Sequence, residues 1–138
     1  MASGVYNRFK YDAMVGNLAL NASDTINIQL HTSTYTPNAD HNVIGDLTNE
    51  VAAGGGYSTG GAALSTPTIT QDDTNDVAYL DGVNTTWSTS TITARYAVVV
   101  DVTNTNSLIC WIDFGSDKSS SGGDFTIQWD TTGIVEIA

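Results

Sequence analysis

Positive charge is nearly absent from this chain. Arg8, Lys10, Arg95 and Lys118 are its only cations against 15 acidic residues, for a formal net charge of −11. Binding to a phosphate backbone draws on Lys and Arg to release counterions, and four scattered cations form no basic stripe. Nucleic acid and anionic membranes are therefore not expected partners. Cysteine is equally scarce. Cys110 stands alone, so no internal disulfide can form and the fold does not depend on an oxidising compartment. No apolar run approaches the roughly 20 residues of a membrane span. The opening MASGVYNRFKYDAMVGNLAL has no continuous apolar core of the signal-peptide kind. The expectation is synthesis in the cytoplasm without a signal peptide, with the sequons at Asn21 and Asn84 assigned to chance.

Helix-forming side chains are also few. Only Glu50 and Glu136 among the acids are Glu, while 13 are Asp; beside them stand 20 Thr, 12 Ser, 11 Asn and 13 Gly. Thr suits a pleated surface, and Asp, Asn and Gly build turns through side-chain hydrogen bonds or positive φ. The composition predicts an all-β protein, and the length of 138 residues predicts one domain over 1–138.

The pattern along the chain agrees. Residues 5–20 are the one predicted helix, with Val5, Phe9 and Ala13 at four-residue spacing and Gly16-Asn17 as its stop. They form an N-terminal helical segment within 1–23. In TINIQLHT, Ile26, Ile28 and Leu30 alternate with Asn27, Gln29 and His31, the pattern of a half-buried strand. Residues 33–66 lack strong periodicity and read as one long loop region. Strands are expected at 67–70 and 77–82 around a polar turn at 71–76, and a short polar one at Trp87. TITARYAVVVDV (91–102) and SLICWIDFG (107–115) are apolar on both faces and read as a central hairpin turning at 103–106. Leu108, Cys110, Ile112 and Phe114 are expected on one face, Ile109 and Trp111 on the other. A soft loop at 117–123 precedes DFTIQWD, where Phe125, Ile127 and Trp129 alternate, and IVEIA closes the chain. About eight short strands predict a β-sandwich or jelly-roll-like fold with a short N-terminal helix and a long glycine-rich loop.

Few residue constellations suggest chemistry. The stretch NEVAAGGGYSTGGAAL (49–64) has the glycines of a phosphate loop but neither the Lys nor the helix that would follow one. A contact or mobile loop is the better reading. Tyr57, with little around it to bury it, is expected to anchor an interface, flanked by Gly55 and Gly56. Asp72, Asp73 and Asp76 are candidate ligands for a hard cation, but their spacing matches no calcium loop and a solvated turn is favoured. No cofactor is expected. Asp101 and Asp113 read as half-buried strand residues, with Arg95 a possible partner. His31 and His41 are expected in solvent, Cys110 as a small core residue, and Trp87, Trp111 and Trp129 in the core. No nucleophile or paired-carboxylate pattern argues for an enzyme.

The order DTINIQLHTSTYTPNADHNV, DLTNEVAAGGGYSTGGAAL, TWSTSTITARYAVVV and DFGSDKSSSGGDFTIQWDTTGIVEI resembles a family of small virion proteins of tailed bacteriophages. Its most specific parts are Thr48-Asn49-Glu50-Val51 leading into Gly56-Tyr57, Thr93-Ala94-Arg95-Tyr96-Ala97, and Asp113-Phe114-Gly115. The resemblance implies a structural protein of the particle and carries over no catalytic residue. The leading expectation is a decoration (cement) protein on the outer surface of the head. Its expected partners are the major capsid protein and copies of itself in a trimer. Tyr6, Phe9 and Tyr11 of the N-terminal segment and the Gly55-Gly56-Tyr57 loop are the expected contacts. The alternatives are a receptor- or carbohydrate-binding module on a fibre or tail, and a tail or connector subunit.

Overall fold

The computed structural model describes residues 3–20 and 23–138, and the chain is all-β with one short helix. In chain order the elements are β1 (Gly4–Val5), α1 (Asn7–Val15), β2 (Ile26–His31), β3 (Ala62–Ala63), β4 (Thr68–Asp72), β5 (Val77–Asp81), β6 (Thr85–Ser90), β7 (Thr93–Asp101), β8 (Ser107–Ser119), β9 (Gly123–Ile127) and β10 (Val135–Ile137). Gly16 ends α1 in the left-handed conformation, φ 80°, as its position after the apolar spacing predicts. The helix is shorter than the expected 5–20, because Gly4 and Val5 pair as a strand with Trp111 and Cys110 instead. The predicted strands are present, and the expected loop at 117–123 is partly strand, since β8 runs on to Ser119.

All strand pairs are antiparallel. A five-stranded sheet in the order β1-β8-β7-β2-β3 forms one layer. Opposite it lie a three-stranded sheet, β10-β5-β4, and a two-stranded one, β6-β9. The main core fills the space between. Ile28, Ala97, Val99 and Cys110 from the large sheet meet Leu80, Trp87, Phe125, Ile127 and Val135 from the smaller ones. This is sandwich packing, in which inward residues of facing sheets share one apolar layer.

The large sheet is also buried on its second face. Tyr96, Val98, Val100, Leu108 and Trp111 there pack with Tyr6 and Tyr35, and Ala39, Ile44 and Leu47 close over them. Part of the predicted long loop is therefore the lid of a second core. This explains why β7 and β8 are apolar on both faces. It also overturns the expectation for His31: Gln29 and His31, on the polar side of β2, are buried beneath this lid.

The expected grouping along β8 needs one correction. Val99 pairs with Cys110 and Val100 with Leu108, so Ile109 is an extra residue on β8. A bulge of this kind breaks the two-residue alternation. Leu108 consequently joins Trp111 in the second core, while Ile109 joins Cys110 in the first. The Ile109 carbonyl accepts the Tyr6 backbone N–H at 3.1 Å, which is where the N-terminal segment enters the sheet.

Candidate functional site

The glycine stretch is tied into its own chain. Gly54 and Tyr57 exchange backbone hydrogen bonds, and Thr91 N–H donates to Gly55 O at 2.8 Å. Tyr57 is 2 % exposed, with its ring 6.0 Å from that of Trp87. Its hydroxyl donates to Glu50 Oε1 at 2.7 Å and accepts the Leu30 N–H at 3.0 Å. Gly60 N–H donates to the same Glu50 oxygen at 2.7 Å. Burial, together with the Glu50 carboxylate, pushes the phenol far above its ordinary pKa despite the opposing Leu30 bond. Glu50 and Tyr57 thus form a clamp that fastens residues 50–60 to β2. The expectation that Tyr57 anchors an interface is corrected: a buried ring cannot offer area to a neighbour. Gly55 and Gly56 are surface residues, but the close approach they allow is to Thr91 and Ser90 of their own chain.

The N-terminal rings are corrected likewise. Tyr6 is fully buried, its hydroxyl 2.8 Å from that of Tyr35 and its ring 4.9 Å from Trp111. Phe9 lies in the main core. Sequence reasoning missed both because an aromatic residue at the mouth of a short helix, or on its one apolar stripe, gives no sign of which distant partner covers it. Of the three expected aromatic contacts in this segment, only Tyr11 is exposed.

The acidic groups serve the fold. Asp72 accepts hydrogen bonds from Thr74 N–H, Asn75 N–H and the Asn75 amide, and Asp73 accepts one from the Gln71 amide. These bonds hold the Asp72 carboxyl below its ordinary pKa and shape the turn that contains Asp76. Among the described residues no three of His, Cys, Asp and Glu converge as a metal-binding group. Asp113 meets Arg95 at 2.6 Å, the partner that the sequence suggested, and Asp101 is fully buried at the start of the 103–106 turn. The His31 ring lies 2.8 Å (Nδ1) from Thr48 O, and burial lowers its pKa. His41 is half-buried, 3.2 Å from the Tyr35 hydroxyl. Cys110 is buried, its thiol pushed up to about 12, so it behaves as a core residue.

Two surface features remain. A groove of about 540 Å³ opens between β8 and β9, with Phe114 and Trp129 on its walls and Lys118, Asp124, Gln128 and Asp130 around them. The Trp129 indole N–H is committed to Val83 O at 3.2 Å, so the ring offers a face but no donor.

The second feature is apolar. Among the described residues six large apolar side chains stand exposed, and five of them, Tyr11, Met14, Val15, Ile69 and Ile137, lie on α1, β4 and β10. Three neighbouring hollows run between these elements. The first, between α1 and β10, is lined by Phe9, Lys10, Met14, Glu136 and Ile137. The next includes Phe9, Leu18, Ile69 and Ile137, and the last reaches Asp72, Asp73 and Asp76. Ile137 borders all three, so they form one continuous strip. The strip crosses β5, which lies between β10 and β4, and β10 is a sheet edge with β5 on only one side. Exposed apolar strips with polar ends mark interaction surfaces more often than single exposed side chains do.

No family model, curated protein or solved structure matches this chain.

Proposed function

We propose that this protein is a structural subunit of a tailed-bacteriophage particle, a decoration protein bound as a trimer to the outer surface of the head. The observation that carries the reading is the apolar strip across α1, β4 and β10 on a chain that otherwise presents Asp, Thr, Ser and Asn to solvent. A strip of this kind is what a subunit covers on joining an assembly. Two further features support it. The net charge of −11 disfavours contact with packaged DNA and suits an outward-facing position. The chain's resemblance to small phage virion proteins points the same way.

Cryo-electron microscopy of purified particles tests this directly. Density for the chain at regular sites on the head is the expected result. Density confined to the tail, in sixfold or twelvefold rings, would replace the decoration role with a tail or connector one.

One observation favours a second reading, a carbohydrate-binding module. The groove between β8 and β9 combines two aromatic faces with carboxylate and amide side chains, the usual surroundings of a sugar ring, and its volume of about 540 Å³ lies within the range of small-molecule sites. A glycan array with the purified protein separates the two readings. Saturable binding that Trp129→Ala abolishes would favour the module, and an empty array would remove it.

A further inference from the structure

The strip between α1 and the 72–76 turn has unlike ends. At the helix end stands Lys10, exposed, which lines the first hollow together with Glu136. At the other end Asp72, Asp73 and Asp76 line the last hollow with no cation among its walls. Between them lie Met14, 82 % exposed, and Ile69 and Ile137, both more than two-fifths exposed.

Cations are the scarce partner here. Of the four in the chain, Arg8 is paired with Asp12 at 2.9 Å and Arg95 with Asp113 at 2.6 Å. Among the described residues Lys10 and Lys118 have no ion pair; Lys10 bonds to the neutral Asn7 side-chain oxygen at 3.3 Å, and Lys118 lines the groove between β8 and β9 rather than the strip. One uncommitted cation therefore borders the apolar strip at the end opposite three clustered carboxylates. We infer that the strip is the docking site for a second copy of this chain. The Lys10 end of one copy sits against the 72–76 turn of the next, and Met14 and Ile137 are covered between them.

The geometry is self-consistent. Unlike ends can meet in a two-fold pair, each copy's Lys10 end on the other's turn, or in a heterologous contact that closes into a ring when the rotation allows. A ring agrees with the trimer proposed above, and the choice of a second copy as occupant rests on that subunit reading. The contact would also cover the open edge of β10, which removes a hazard for uncontrolled strand pairing. The apolar centre supplies the attraction, while Lys10 and the turn select the orientation. A net charge of −11 per copy opposes unselective association, so the one matched pair of ends decides which contact forms.

The test uses the purified full chain at physiological salt, with mass measured by light scattering and sedimentation. The expected mass is two or three times that of one chain. Met14→Asp and Ile137→Asp change exposed positions, so circular dichroism should remain that of the parent while the mass falls to the monomer's. Lys10→Asp and Asp73→Lys should each weaken association by about tenfold or more, and the double variant, which restores the pair with its signs exchanged, should recover most of the loss. Asp73 suits the exchange because its one hydrogen bond, to Gln71, is exposed.

A parent that stays monomeric up to about 100 µM overturns the proposal. So does an oligomer that all four single variants leave intact, or a double variant no better than the singles. These outcomes are separable from failure of the virion reading. A monomer found on heads would remove the contact and keep the location, and an oligomer absent from particles would do the reverse.

Discussion

At the scale of single residues, the part of the chain that looks most pliable is among the most constrained. Gly61 has φ +79°, and a Cβ placed on it would overlap the Ile28 carbonyl group. That carbonyl belongs to backbone in the middle of β2, which cannot move aside. Gly61→Ala therefore combines a left-handed backbone strain with a steric overlap. It is expected to cost about 3 kcal/mol or more, read as a fall in the urea midpoint. Gly60→Ala is the control, because a Cβ there meets nothing within 4 Å. It should cost only the left-handed strain, about 1 kcal/mol. Equal losses in the two variants would show that the close approach to β2 is not what Gly61 provides. Asp101 offers the opposite sign. Burial above all raises its pKa to about 6, against the lowering by the Asn104 N–H, and the nearby Asp24 carboxylate adds to the rise. For an acid whose folded pKa is raised, stability is greatest below the unfolded pKa and is lost as pH rises from about 4 to about 6. Asp101→Asn keeps an oxygen for the Asn104 N–H and removes the charge. It should stabilise the protein at pH 7 by on the order of 2 kcal/mol and leave stability at pH 3.5 nearly unchanged. Thermal melts at the two pH values check this.

At the scale of elements, the sequence was legible wherever burial is set by local period and opaque wherever a distant segment does the covering. Ile26, Ile28 and Leu30 were placed by alternation, and Gly16 marked the end of α1. The turn at 71–76 followed from the bonding habits of Asp and Asn. By contrast, the burial of His31 depends on the loop after β2 folding back as a lid, and no pattern in TINIQLHT records that. The bulge at Ile109 is invisible for the same reason, since an apolar run shows no break in alternation. Tyr57 was misread because glycine neighbours suggest exposure, although Glu50, seven residues earlier, supplies its hydroxyl partner. The Arg95–Asp113 pair was legible as a possibility. What the structure adds is its place at an irregularity, where the pairing steps from Ala94–Lys118 to Tyr96–Asp113. Asp113 also accepts the Gly115 N–H at 2.8 Å, so one carboxylate braces the residues that bow out of β8. The Arg95 hydrogen bond and the Gly115 N–H hold its pKa well below the usual carboxylate range. A depressed acid contributes stability above its unfolded pKa and loses it as pH falls below about 4. Asp113→Asn should therefore be less stable than the parent at pH 7 and closer to it at pH 2.5. Denaturant titrations at both values would show a constant gap if the ion pair contributes nothing.

At the scale of the whole molecule, the segments 4–5 and 135–137, near either end of the described residues, are built into sheets. The C-terminal β10 completes the sheet with β5, and β1 pairs with β8 more than 100 residues later in the chain. Contacts of such sequence separation are expected to make folding slow compared with a helical protein of this size. They also change the status of the N-terminal segment, which the sequence presented as an arm available to neighbours. Tyr6 and Phe9 are 0 % and 4 % exposed, one in each core. Removing them loses about 1.5–3 kcal/mol of apolar burial for each ring. It also uncovers the Trp111 face that Tyr6 packs on and strips the Ile109 carbonyl of its partner. Asp12, wholly buried and bonded to Arg8 and to the Asn104 amide, would leave with them and free the turn between β7 and β8. The sum is on the order of 5 kcal/mol, comparable with the whole stability of many domains. A chain beginning at Gly16 should therefore be largely unfolded or form aggregates at 25 °C, with near-ultraviolet circular dichroism lost. If the segment were an arm, the truncated chain would keep the parent's urea midpoint and lose only association. The two outcomes separate a structural element from a tether, and both cores predict the first.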